Sequence, residues 1–339
     1  MTMSPAKSSV ELRQSLLGLL WQQWAALGIA GSAPAEGDWC VDLEALLLVT
    51  TTQARADPRL FDEVLDWLWG NGQWVNVQRL RNIHRRIALG DPRVLSAIAD
   101  WLSQRSTLTK WKPLAVADGT NAENPEPLFR LKDGRPQPMF GEVDPIFERH
   151  GLARGPIKRR KLSQQPNPRP AAALSWKLRA LFGVQARCDI LLCLLTRGAG
   201  YPADLTRATF YFPRTVEETL KGLAASGLVH TGHTGRKARY WLKPEDWQFL
   251  RTWSRPADFP RWVDWPRLFC VQERFLRVLG DAELSPMLLS SELRRTFDAL
   301  QPMLADGGLD SSFTASRSHT GVSFTDALID DLHRLAASV

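Results

Sequence analysis

Apolar residues recur at helical spacing through most of this chain. Leu12, Leu16, Leu19, Leu20 and Trp24 fall on one stripe and predict an amphipathic helix over 8–28. A Gly/Ala/Ser/Pro-rich loop follows at 29–38, then a second helix over 42–56. Asp57-Pro58 pairs a capping carboxylate with a proline suited to the first helical position, so a helix should run to Trp69. Gly70-Asn71-Gly72 stops it. Another helix is expected over 77–89, and Asp91-Pro92 opens the next in the same way. The last third reads as helices over 266–280, 285–305 and 324–337, with Leu328, Ile329, Leu332 and Leu335 on one stripe of the last. Asp57-Pro58-Arg59 and Asp66-Trp67-Leu68 return as Asp91-Pro92-Arg93 and Asp100-Trp101-Leu102. No third copy appears, so shared helix-start chemistry explains the echo better than a repeat architecture does.

The middle of the chain has a different character. Prolines crowd 113–150, where Phe129–Met139 suggests a small hairpin around Asp133-Gly134. Residues 153–173 read as a basic, Pro-rich linker carrying Arg154, Lys158, Arg159, Arg160 and Lys161. Beyond it, Ile190, Leu191, Leu194 and Leu195 mark a helix ended by Arg197-Gly198-Ala199-Gly200. A short helix fits Pro202–Thr209, and a third fits 214–226, closed by Gly227. Leu228-Val229 begins a strand, His230–Gly235 reads as a polar turn, and Lys237–Leu242 as the returning strand.

Three helices followed by a basic hairpin form the pattern of a winged helix-turn-helix. The run Thr215-Val216-x-x-Thr219-Leu220-x-x-Leu223-x-x-x-Gly227-Leu228-Val229 resembles the third helix and first wing strand of winged-helix regulators of the MarR/ArsR kind. The resemblance covers residues 184–243 and implies a DNA-binding module. The expected fold class is therefore mainly α. A helical N-terminal domain (1–112), a Pro-rich segment with a small hairpin (113–152) and a basic linker (153–173) precede the central winged helix-turn-helix (174–255). A helical C-terminal region (256–339) follows it.

Charge sharpens this picture. The 339 residues carry a net +7. Residues 151–260 hold 19 Lys/Arg against 7 Asp/Glu, whereas 1–150 hold 16 against 18 and 261–339 hold 8 against 11. The whole positive excess lies in the segment with the helix-and-ribbon pattern, which marks it as the candidate polyanion site. On the third helix, Val216, Leu220 and Leu223 share the inward direction, so Arg214, Glu218 and Lys221 point outward. Such a face enters the major groove. Arg214 and Lys221 suit guanine or phosphate, and Glu218 suits a cytosine amine while repelling phosphate. Arg207 and Thr215 flank this face. Arg236, Lys237 and Arg239 lie in or beside the wing turn, where long cations reach the backbone or minor groove.

Other chemistry finds little support. Cys40, Cys188, Cys193 and Cys270 form no CxxC pair, so reduced thiols and a cytoplasmic location are expected, with no disulfide frame or zinc site. No apolar run is long enough to span a membrane. Phosphate-loop, dinucleotide, HExxH and GxSxG patterns are missing, and no catalytic residue, cofactor or metal is expected. Glu142, Asp144, Glu148 and His150 lie close together but read as a loop and helix start. His230 and His233 lack further ligands. Trp262 and Trp265, with Phe259 and Phe269, fit an interdomain clasp better than a stack for single-stranded bases.

The expectation is a non-enzymatic, duplex-DNA-binding transcriptional regulator, a repressor, with the flanking helices supplying homodimer or partner contacts. The alternative is an antitoxin-like protein that masks an enzyme and regulates its own operon.

Overall fold

The structure, a computed structural model, describes residues 5–31, 37–116, 124–131, 134–235, 237–251 and 259–339. It is mainly α-helical with two small sheets. The first five helices are α1 (Pro5–Ala26), α2 (Leu43–Gln53), α3 (Pro58–Asn71), α4 (Val77–Ile87) and α5 (Pro92–Ser103). Their starts repeat one device. Asp57 accepts the Leu60 N–H at 3.1 Å, and Asp91 accepts the N–H groups of Arg93 and Val94 at 2.9 and 3.3 Å. Each carboxylate thus satisfies amides that the helix leaves unpaired, with proline in the first turn. The capping chemistry shared by the two Asp-Pro starts accounts for the sequence echo.

Helix α2 is apolar on nearly every side and is buried accordingly. It packs against α1, α4 and α5. Next come strand β1 (Glu126–Pro127), the short α6 (Pro145–Arg149) and strand β2 (Leu152–Ala153), with β1 and β2 pairing in parallel. Asp144 caps α6, accepting the Ile146 and Phe147 N–H groups at 3.0 and 3.2 Å, so it serves as a helix start. The hairpin expected at 129–139 survives as a single bridge, Arg130 to Pro136; Asp133 lies outside the described residues.

Residues 153–173 differ from a free tether. They form a strap lying along the acidic side of α3. Arg154 is buried, donates to Asp62 at 2.8 Å and sits over the rings of Phe61, Phe129 and Phe147. Arg159 pairs with Asp66 at 3.5 Å and stacks on Trp69, and Arg160 pairs with Glu63. The backbone of Gln164 bonds to Gly28, where a Cβ would strike the Gln164 carbonyl at 2.7 Å. Opposite charge and backbone bonding hold a segment that composition alone leaves unfolded.

The central unit comprises α7 (Leu174–Phe182), α8 (Ala186–Arg197), β3 (Ala199–Gly200), α9 (Pro202–Thr209), α10 (Pro213–Ala225), β4 (His230–Thr234) and β5 (Lys237–Trp241). Its strands are ordered β3-β5-β4, all antiparallel. An apolar core of its own includes Leu178, Leu191, Leu194, Leu205, Val216 and Leu220. The chain closes with α11 (Trp265–Leu279), α12 (Pro286–Gly307) and α13 (Val322–Ala337). These three share a second core with the first five helices, because α13 packs on α1 and α11 packs on α1 and α2. The N- and C-terminal segments therefore bury their apolar faces together, around the central unit's chain insertion. No helix among the described residues is long and apolar enough to cross a membrane.

Candidate nucleic-acid interface

Helix α10 starts at Pro213, whose missing N–H costs nothing in the first turn. Val216, Leu220 and Leu223 are buried against α8 and α9. Arg214, Glu217, Glu218 and Lys221 are exposed on the opposite side, as the helical period requires. The Arg214 side chain is 89 % exposed and donates from Nε to Glu218 Oε1 at 2.7 Å. Thr215 is half-buried, and its carbonyl accepts the Thr219 hydroxyl at 2.7 Å.

The ribbon corrects one sequence expectation. His230–Thr234 is strand rather than turn: its ladder with β5 runs from His230↔Trp241 to Thr234↔Lys237. The His230 ring stacks on Trp241, and a Cβ at Gly232 would come within 3.1 Å of that indole. Cross-strand packing thus extends the strand through residues whose polarity suggested a loop. The turn is left with Gly235, at φ +62°; Arg236 lies outside the described residues. Lys237 and Arg239 alternate onto one exposed side of β5. Among the described residues, Lys221, Lys237 and Arg239 have no carboxylate partner.

Arg207 is placed differently. It closes α9, pairs with Asp204 at 2.5 Å and Asp306 of α12 at 3.8 Å, and its carbonyl accepts the Arg267 guanidinium. Its charge belongs to the seam between the central unit and α12. The strap likewise consumes Arg154, Arg159 and Arg160 on α3 carboxylates. Much of the positive excess in 151–260 is therefore answered internally, and the cations left on α10 and β5 are a smaller set than the segment charge suggests.

What fixes this unit to the rest was not visible in the sequence. Glu44 of α2 is fully buried and accepts both Arg179 Nη atoms at 2.7 Å and Arg79 Nη1 at 2.8 Å. Arg79 also pairs with Asp42 at 2.5 Å, and Arg179 with Asp189 at 3.0 Å. Tyr211 donates to Asp189 at 2.7 Å and accepts from Asn76 at 2.6 Å. Burial alone would raise the Glu44 carboxyl, but the two guanidiniums and the Asn76 N–H overcome it and hold the group at about 2. Burial opposes the charge on Arg79 and Arg179 as well; their carboxylate partners prevail and lift both well above the ordinary arginine range. Burial, with Asp189 next in weight, keeps Tyr211 protonated.

The same network seats the α9–α10 turn. Arg79 Nε donates to the Thr209 carbonyl at 3.0 Å, Asn82 to Phe210 at 3.0 Å, and Arg86 to Tyr211 at 3.1 Å. Phe210 takes a left-handed conformation, φ +62°, that costs a non-glycine residue free energy. Its ring is buried under the Arg267 guanidinium at 4.8 Å, and that packing enforces the turn. Trp265 joins the same seam: it donates to the Cys40 carbonyl at 2.7 Å and meets Trp39 edge-on. Its buried ring presents no face to a base, while Trp262 lies half-buried beneath Arg197. A cavity of about 20 Å³ remains between Asp42, Arg79, Arg179 and Trp265, room for one water.

Among the described residues, no group of three His, Cys, Asp or Glu side chains converges as a metal site. No family model, curated protein or solved structure matches this chain.

Proposed function

We propose that the central unit is a winged helix-turn-helix and that the protein is a duplex-DNA-binding regulator acting as a repressor. The reading rests on one observation: the unit is fastened to the rest by a buried ionic seam, while among the described residues Lys221, Lys237 and Arg239 stay exposed with no carboxylate partner. The succession α8–β3–α9–α10–β4–β5 suits α10 to the major groove and the β4–β5 ribbon to the flanking backbone. Arg214 must exchange Glu218 for a base or phosphate on binding. Glu217 and Glu218 weaken attraction to the backbone, so contacts by Lys221 and the ribbon carry most of the affinity.

The test is anisotropy titration of labelled genomic duplex against salt, with K221E/K237E/R239E as the variant. Each lost phosphate contact should lower the salt slope by about one, and the triple variant should lose binding at physiological salt. Unchanged binding by that variant refutes the assignment. The masking alternative draws support from the mixed charge of the α10 face and from exposed Leu228 and Phe249 near the ribbon. Copurification of a stoichiometric partner by a chain that binds no duplex would favour it.

A further inference from the structure

Beyond the N-terminal end of α10, the end of α4 and the helices α11 and α12 border an open groove of about 350 Å³. Its charged lining is Arg274 and Arg277 of α11 and Arg295 of α12; among the described residues that line it, none is acidic. Contacts tie this groove to the start of α10. Arg274 is half-buried and donates to the Ile87 carbonyl at 3.1 Å, at the end of α4. The residue before Ile87, Arg86, is exposed, donates to the Tyr211 carbonyl at 3.1 Å and lies 5.4 Å from the Phe212 ring centroid. Phe212 is the N-cap of α10, and Arg214 stands in its first turn. A line of guanidiniums thus runs from Arg214 through Arg86 to Arg274, Arg277 and Arg295. Helix α11 gives the scale: Arg267 sits over the Phe210 ring, and Arg277 lies ten residues further along, about 15 Å. That distance is the rise of about four base pairs of duplex.

These cations are available to a partner. Arg277 and Arg295 keep 73 % and 80 % of their side-chain surface exposed. Their carboxylates, Glu273 at 3.5 Å and Glu292 at 3.0 Å, hold them as surface pairs, which contribute little. Glu273 is itself buried, and burial raises its carboxyl despite Arg277. Among the described residues, Arg86 and Arg274 have no ion-pair partner. Four guanidiniums therefore stand against two carboxylates. Helix dipoles favour Arg86 and Arg277, each in the last turn of its helix. Arg295 lies in the middle of α12, where no such field calls for it. None of the four belongs to residues 151–260, which carry the positive excess of the sequence.

An open groove of exposed arginines suits an extended polyanion better than an enclosed small molecule, since each guanidinium can fork onto a phosphate. We infer that this groove receives the phosphate backbone of the duplex flanking the α10 site, beyond the N-terminal end of that helix. The ribbon, which follows the C-terminal end of α10, holds the other flank. The inference rests on the duplex reading of α10 and adds to it a contact made by helices outside the central unit.

The test uses the full chain on a genomic duplex recovered by binding, with anisotropy titrations against salt and hydroxyl-radical footprinting. Arg277→Gln combined with Arg295→Gln should lower the salt slope by about two, and it should shorten the protected stretch at one end by about four base pairs while leaving its centre intact. Arg277→Lys combined with Arg295→Lys keeps both charges and should restore the wild-type slope. Made singly, each Gln substitution should lower the slope by about one, which keeps the test open if the pair does not fold. A slope and footprint unchanged by the Gln pair overturn the inference, while an intact centre still supports the α10 reading. Loss of the centre together with the flank also overturns it, because these side chains would then serve the central contact. A wild-type chain that protects no duplex refutes the α10 reading itself, and this inference with it.

Discussion

Replacing Glu44 by Gln should cost the fold roughly 3 kcal/mol at neutral pH. The figure follows from the depression of its carboxyl from the ordinary 4.5 to about 2, at about 1.4 kcal/mol per tenfold change in proton affinity. It agrees in scale with the 3–5 kcal/mol typical of removing one member of a buried ion pair. Glutamine retains one acceptor but turns an amide donor toward a guanidinium, so Arg79 or Arg179 is left without its charge-assisted bond. The pH dependence has a definite sign. A carboxyl depressed in the native state stabilises fully above its unfolded value, and that contribution is lost as pH falls through the folded value. The gap between wild type and E44Q should therefore be nearly constant from pH 7 to about 5, shrink to less than half by about pH 3, and fall to a few tenths of a kcal/mol by about pH 2. Urea unfolding followed by tryptophan fluorescence at each pH measures it. A gap that is equally large at pH 7 and pH 3, or absent at pH 7, refutes the electrostatic account of the seam.

Two further outcomes are expected alongside the DNA tests described above. Burial pushes the Cys40, Cys188 and Cys193 thiols up to about 12 and Cys270 to about 11; a thiol-reactive disulfide reagent at pH 8 should leave all four untouched in the native chain and modify all four in guanidinium. Reaction of any one without unfolding would contradict its burial. Asp57→Ala removes the α3 cap and the partner of the Trp21 indole N–H, 2.7 Å away, and should lower stability by about 1–2 kcal/mol in urea melts with no change in DNA binding.

The amino-acid sequence by itself determined the helices, because their signals are local. Asp57-Pro58, Asp91-Pro92 and the stripe ending in Leu335 are read within one or two turns of chain, and the helices begin and end within a few residues of those marks. The orientation of α10 was equally legible, since Val216, Leu220 and Leu223 fix an inward face and leave Arg214, Glu218 and Lys221 outward. Tertiary structure decided which charges remain available. Glu44 and Arg179 are 135 residues apart, and the partners of Arg159 and Arg160 on α3 are more than 90 residues away. No local pattern links such pairs: an ion pair needs proximity, which only the packed helices supply. Whether a cation faces a neighbour or solvent depends on the surface beside it, and that surface exists only once the two cores have formed.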